Sequence, residues 1–109
     1  MKPTITILMP RGRIDAAGVR PLETELGEHL AAGRIHLLID LSQVVYVSSV
    51  GLRMCLTTLR KARRHGGGLI LCNLNERVLE VFKLAGFDRV LHIVSTREEA
   101  ESALASQFK

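Results

Sequence analysis

Short apolar runs alternate with segments of helical periodicity along almost the whole chain, and few folds accommodate that order. Thr4-Ile5-Thr6-Ile7-Leu8-Met9 alternates at period two, as a half-buried strand does. Pro10 interrupts it, and Arg11-Gly12-Arg13-Ile14-Asp15 continues as an extended segment. Ile35-His36-Leu37-Leu38-Ile39 and Leu69-Ile70-Leu71-Cys72 are short and mostly apolar, the pattern of strands buried on both faces. A second apolar run spans residues 44–47, and Val90-Leu91-His92-Ile93 reads as the last strand. Between these lie the helices. Val19, Leu22, Leu26 and Leu30 form one stripe, with Pro21 near its start and Gly33 as its stop. Leu52, Cys55, Leu56 and Leu59 form another, closed by Gly66-Gly67-Gly68. Asn75 reads as the cap of a third helix bearing Val78, Leu79 and Phe82, with Gly86 after it. Ser95-Thr96-Arg97-Glu98 fits a capping box for a fourth, with Ala100, Ala103 and Leu104 on its inner face. The alternation predicts an α/β fold: a partly parallel sheet covered by helices.

A chain of 109 residues is expected to be a single domain over residues 1–109, burying roughly two-thirds of its unfolded surface. With 47% apolar residues, disorder is excluded as a description of the whole chain. No apolar run approaches the ~20 residues needed to cross a bilayer. Met1-Lys2-Pro3-Thr4 carries no hydrophobic signal segment, so a cytoplasmic location is expected, without membrane attachment. Cys55 and Cys72 stand singly, with no Cys or His at metal-ligand spacing, so both are expected in the core. Neither a metal nor another cofactor is expected.

The stretch Asp40-Leu41-Ser42-Gln43-Val44-Val45-Tyr46-Val47-Ser48-Ser49-Val50-Gly51-Leu52-Arg53 carries the functional reading. It reads as a buried strand and a short apolar run, followed by two serines that open a helix. Ser48 or Ser49 can serve as the cap. Ser49 is expected to hold its hydroxyl at the exposed, electropositive end of that helix, where a phosphate is favoured by free backbone N–H groups and the dipole. A phosphoserine brings about −1.5 to −2 charges and three acceptor oxygens, and Arg53 lies one turn on to meet it. The fold is expected to tolerate that group; its effect would fall on a partner docked over the helix end.

The same stretch resembles the signature of the STAS family, the domain of bacterial anti-sigma factor antagonists. Asp40-Leu41-Ser42 matches the family's opening, Ser49 falls on the phosphoacceptor position and Gly51 on the following glycine. Ser48 replaces a common acidic residue, and Val50 replaces a Ser or Ala. The resemblance extends to Gly12-Arg13-Ile14-Asp15, to Phe82-Lys83-Leu84-Ala85-Gly86-Phe87 and to Ser95-Thr96-Arg97-Glu98-Glu99-Ala100. It implies a STAS-type mixed, partly parallel sheet packed by about four α-helices. It implies a switch in which the unphosphorylated protein binds an anti-sigma factor, often a serine kinase of the GHKL ATPase type, and frees the sigma factor. Phosphorylation on Ser49 ends that binding, and a serine phosphatase restores it. Ser48, Gly51, Leu52 and Arg53 then shape the docking surface, and Asp15 helps to dock the kinase. STAS modules also serve phospholipid-transport and stress-sensing assemblies, which is the alternative without a phospho-switch. Family members often carry an extra leading strand for which Met1-Pro3 leaves no room, so a partner or a second copy of the chain is expected to protect that sheet edge.

Other chemistry finds little support. Asp15 and Asp40 also suit turns or caps. His29, His36, His65 and His92 share no motif, and Gly-x-Ser-x-Gly is absent, so no enzymatic activity is expected. Arg60-Lys61-Ala62-Arg63-Arg64-His65 is the candidate for nucleic acid in a chain of formal charge +4. It has no interleaved aromatics, and cations suit the end of a helix, so direct nucleic-acid binding is not expected. Gly66-Gly67-Gly68 lacks the Lys-Ser/Thr of a phosphate loop.

Overall fold

The computed structural model describes residues 4–106. Six strands and four helices follow in the order β1 (Thr6–Leu8), β2 (Gly12–Ile14), α1 (Val19–Ala31), β3 (His36–Asp40), β4 (Val44–Val47), α2 (Ser49–Arg64), β5 (Gly68–Cys72), α3 (Glu76–Leu84), β6 (His92–Val94) and α4 (Arg97–Ser106). The main sheet has the order β1-β3-β5-β6, and β2 pairs with β4 in a separate two-stranded ribbon. Every one of these pairs is parallel. Parallel neighbours require long crossovers, which is why helices fall between the strands of the main sheet.

The two central strands are buried along their full length, and their side chains alternate between two cores. Leu37, Ile39, Leu69 and Leu71 face α1, α2 and α3, in one cluster with Leu22, Leu26, Leu59 and Phe82. Leu38, Ile70 and Cys72 face the other way and are covered by Ala100 and Leu104 of α4. One side of the sheet thus carries three helices and the other carries one.

Asp40 ties that single helix down. Its carboxylate is buried at the end of β3, where it accepts from the Ser42 amide at 2.9 Å, the Asn73 side-chain amide at 3.2 Å and Arg97 Nη2 at 2.9 Å. Burial pushes its pKa up, but the Ser42, Arg97 and Asn73 bonds prevail and hold it below the ordinary carboxylate value. The sequence suggested a turn former here; Asp40 is that and also the anchor of α4.

Several boundaries differ from the sequence reading. The last strand lies two residues later, because Phe87–Arg89 close a 3-10 turn and Leu91 buries itself in the core before β6 begins. The cap of α4 is Thr96, whose hydroxyl accepts from the Glu99 amide at 3.1 Å, one register beyond the proposed box. The first strand is only three residues long, and Met1-Pro3 lies outside the described residues.

Candidate functional site

The site forms where the paired strands β2 and β4 end side by side, each feeding a helix. Register pairs Arg13 with Tyr46 and Ile14 with Val47. One residue on, the Ser48 amide donates to the Ile14 carbonyl at 3.0 Å, and the Ser48 hydroxyl reaches the same oxygen at 3.3 Å. The Ser48 side chain also accepts from the Gly51 amide at 3.4 Å, which makes Ser48 the N-cap of α2. Of the two serines that suit a cap, Ser48 takes the role. Ser49 becomes the first helical residue, exposed, with its hydroxyl not engaged in the cap.

Gly51 permits this junction. A Cβ there would stand 2.8 Å from the Ile14 carbonyl oxygen and 2.9 Å from side-chain atoms of Ile14 and Val47. Only a residue without a side chain lets the first turn of α2 sit against the end of β2. Leu52 points inward and is 4% exposed, among the main core residues. The expectation that Leu52 touches a partner is therefore corrected: it fastens the helix start from beneath, because the apolar stripe that begins α2 faces the sheet. Gly51 is likewise buried and acts by close packing.

Asp15 lies next to Ile14, so it shares this end of the ribbon with Ser48 and Ser49. Its Oδ1 accepts from the Gly18 amide at 2.9 Å, and its carbonyl accepts from the Val19 amide at 2.8 Å, launching α1. The Gly18 amide and then the Arg13 side chain lower its pKa below the ordinary carboxylate value. Arg13 Nε stands 3.3 Å from Asp15 Oδ2 in an exposed pair, so its contribution to stability is small. Asp15 is at once a turn residue and a half-exposed acid beside the candidate acceptor.

The sequence did not reveal the apolar flank of the site. Val45, Tyr46 and Val50 are exposed at 63%, 40% and 43%. The Arg13 guanidinium stacks over the Tyr46 ring, 4.3 Å from its centroid. A groove of about 220 Å³ runs between β4 and α3, lined by Val45, Tyr46, Val47, Arg77, Val78 and Val81. The run Val44-Val45-Tyr46-Val47 is apolar throughout, so its sequence does not tell whether both of its faces are covered. A two-stranded ribbon has cover on one. Arg53, on the next turn of α2, is exposed and makes no ion pair among the described residues.

The arrangement brings together an exposed hydroxyl at a helix start, apolar residues beside it, and Asp15, Arg13 and Arg53 at its borders. The sequence profile of the STAS domain matches residues 1–100. The chain belongs to that family. BtrV of Bordetella bronchiseptica, assigned as an anti-sigma factor antagonist, is 34% identical over 93 residues, covering 85% of this chain and 80% of its own. The anti-sigma-B factor antagonist of Bacillus subtilis is 32% identical over 87 residues, covering 80% and 79%. The crystal structure of TM1081 from Thermotoga maritima, assigned to the same function, superposes with a TM-score of 0.86 at 26% identity. It covers 92% of this chain and 86% of that one. The STAS assignment and the α/β architecture read from the sequence therefore stand. Among the described residues, no helix is long and apolar enough to cross a membrane.

Proposed function

We propose that this protein is an anti-sigma factor antagonist, a single-domain binding module that catalyses no reaction itself and works in the cytoplasm. Its unphosphorylated form binds an anti-sigma factor that is also a serine kinase of the GHKL type, and the sigma factor is released. The kinase transfers the γ-phosphoryl group of ATP to Ser49 Oγ; ADP leaves, and the hydroxyl proton passes to a base of the kinase. A phosphatase hydrolyses the ester with water, returning the free serine and inorganic phosphate. Ser49 is the acceptor. Arg53, Asp15 and the Ser48 backbone border the docking surface, and Gly51 and Leu52 hold its shape from below.

The observation that carries this reading is the division of labour between the two serines. Ser48 caps the helix, so Ser49 is free to accept a phosphate without loss of the cap. A phosphate there faces a favourable dipole within the chain and an unfavourable fit within a complex. Each 1.4 kcal/mol of mismatch weakens binding about tenfold, so a modest clash suffices for a switch.

The test is peptide-mapped mass spectrometry of the chain purified from its host, beside a Ser49→Ala variant. Phosphate on Ser49, in a fraction that changes with growth conditions, is the expected result. A serine unmodified under every condition overturns the switch and leaves a constitutive STAS subunit of another assembly.

A further inference from the structure

The exposed face of α2 carries a line of arginines that nothing in the fold consumes. Arg53, Arg60 and Arg64 are all exposed, and their spacing of seven and four residues puts them on one face of the helix with Ser49 at its head. Thr57 completes the row. At ~1.5 Å per residue the row extends roughly 22 Å from Ser49 to Arg64. Lys61 and Arg63 flank it, and α2 contains no Asp or Glu. Both ion pairs among the described residues, Arg13 with Asp15 and Arg97 with Asp40, lie elsewhere.

The helix dipole accounts for part of this pattern. Arg63 and Arg64 stand in the last turn, where cations complement the carbonyl end. Arg53 does not fit that account. It stands one turn from the electropositive end of the helix, where a cation is disfavoured, and the chain still places an arginine there.

We propose that this stripe is the electrostatic half of the docking surface and receives a protein face rich in Asp and Glu on the kinase that modifies Ser49. The inference rests on the reading of Ser49 as a phosphoacceptor and adds the partner's chemistry to it. Charge complementarity selects an acidic face, and the fork of an arginine suits carboxylates. Continuity selects a protein over a nucleic acid: beside Ser49 stand the exposed aliphatic side chains of Val50 and Val45, which offer nothing to a phosphate, and the Tyr46 ring that could stack on a base is already covered by the Arg13 guanidinium. The geometry also explains how a phosphate acts at a distance. It sets about two negative charges at the head of a row that would otherwise attract carboxylates, engages Arg53 within the chain, and repels the incoming face.

The test measures initial phosphorylation of Ser49 in a soluble lysate of the host with radiolabelled ATP. It compares the full chain with Arg60→Gln/Arg64→Gln, which alters residues far from the acceptor. Steered association falls steeply with ionic strength. Labelling of the variant is expected to be about five- to tenfold slower at about 50 mM salt and to converge with the parent at about 500 mM. The charge-preserving Arg60→Lys/Arg64→Lys variant is expected to recover most of the rate; if it is as slow as the glutamine variant, the loss is not electrostatic and the proposal falls. Equal labelling of parent and glutamine variant at every salt overturns the stripe while leaving Ser49 as the acceptor. Equal labelling together with retention on a duplex DNA that only the parent shows assigns the stripe to nucleic acid instead. No label on Ser49 in the parent overturns the functional reading and the stripe with it.

Discussion

Replacing Asp40 with alanine tests whether one buried carboxylate secures α4. The side chain is 5% exposed and accepts three bonds: the Ser42 amide at 2.9 Å, Asn73 Nδ2 at 3.2 Å and Arg97 Nη2 at 2.9 Å. Removing it strands the Ser42 and Asn73 donors, each at about 1–3 kcal/mol if fully buried; Ser42 is exposed and Asn73 half-buried, so the lower end, about 1 kcal/mol, applies to both. Arg97 keeps 39% of its side-chain exposure, so its share resembles a surface pair at about 0.5–1 kcal/mol. The total is about 2–3 kcal/mol, less than the ~3–5 expected for a wholly buried pair. In urea, with m of about 1.5 kcal/mol/M, the midpoint should fall by about 1–2 M. The pH dependence has a definite sign. Asp40 titrates below the ordinary carboxylate value in the folded state, so its ionised form contributes stability above about pH 4. That contribution is lost as pH falls through the lower folded value. The gap between the parent and Asp40→Ala should therefore narrow in acid. A loss below about 0.5 kcal/mol at neutral pH, or a gap that widens on acidification, refutes the role assigned to Asp40.

Four other substitutions or treatments follow from the same structure. Gly51→Ala forces a methyl group into the Ile14 carbonyl and should cost about 1–3 kcal/mol by thermal unfolding, with partner binding weakened further because the first turn of α2 is displaced. Ser48→Ala removes a long cap bond and should cost about 0.5–1 kcal/mol, whereas Ser48→Asp, which caps as well, should restore the melting temperature. Phosphorylation of Ser49 should leave the circular dichroism spectrum unchanged and shift the melting temperature by no more than about 4 °C in either direction; a melted α2 would contradict a switch that acts on the interface. Cys55 and Cys72 are buried, with thiol pKa values pushed up by burial to about 12 and about 11, so neither should react with an aromatic disulfide reagent near pH 8 until the chain is unfolded.

Much of this molecule was legible in its residues. The strands β3 and β5 and the helices α1, α2 and α3 announce themselves because burial imposes a period on apolar residues, and Gly33, Gly66 and Gly86 mark where helices stop. The acceptor candidate was legible as well, since two serines before an apolar period of 3.6 place a helix start locally. What the sequence left open depended on neighbours distant along the chain. Either Ser48 or Ser49 suits the cap on local grounds; the Ile14 carbonyl, brought alongside by the β2–β4 pairing, selects Ser48 and frees Ser49. Leu52 heads the apolar stripe of α2 and, by the family resemblance, also belongs to the docking surface; the sheet beneath α2 decides for the core. Tyr46 and Val45 belong to an apolar run whose exposure only the open face of the ribbon decides. Asp40 meets Arg97, 57 positions later, only because parallel pairing sets the end of β3 beside the start of α4. Local periodicity determines which elements form, because each residue's preference depends on its near neighbours. Which side chains remain exposed at the junction of two strands and two helices is set by tertiary contact, because burial is a property of what lies opposite.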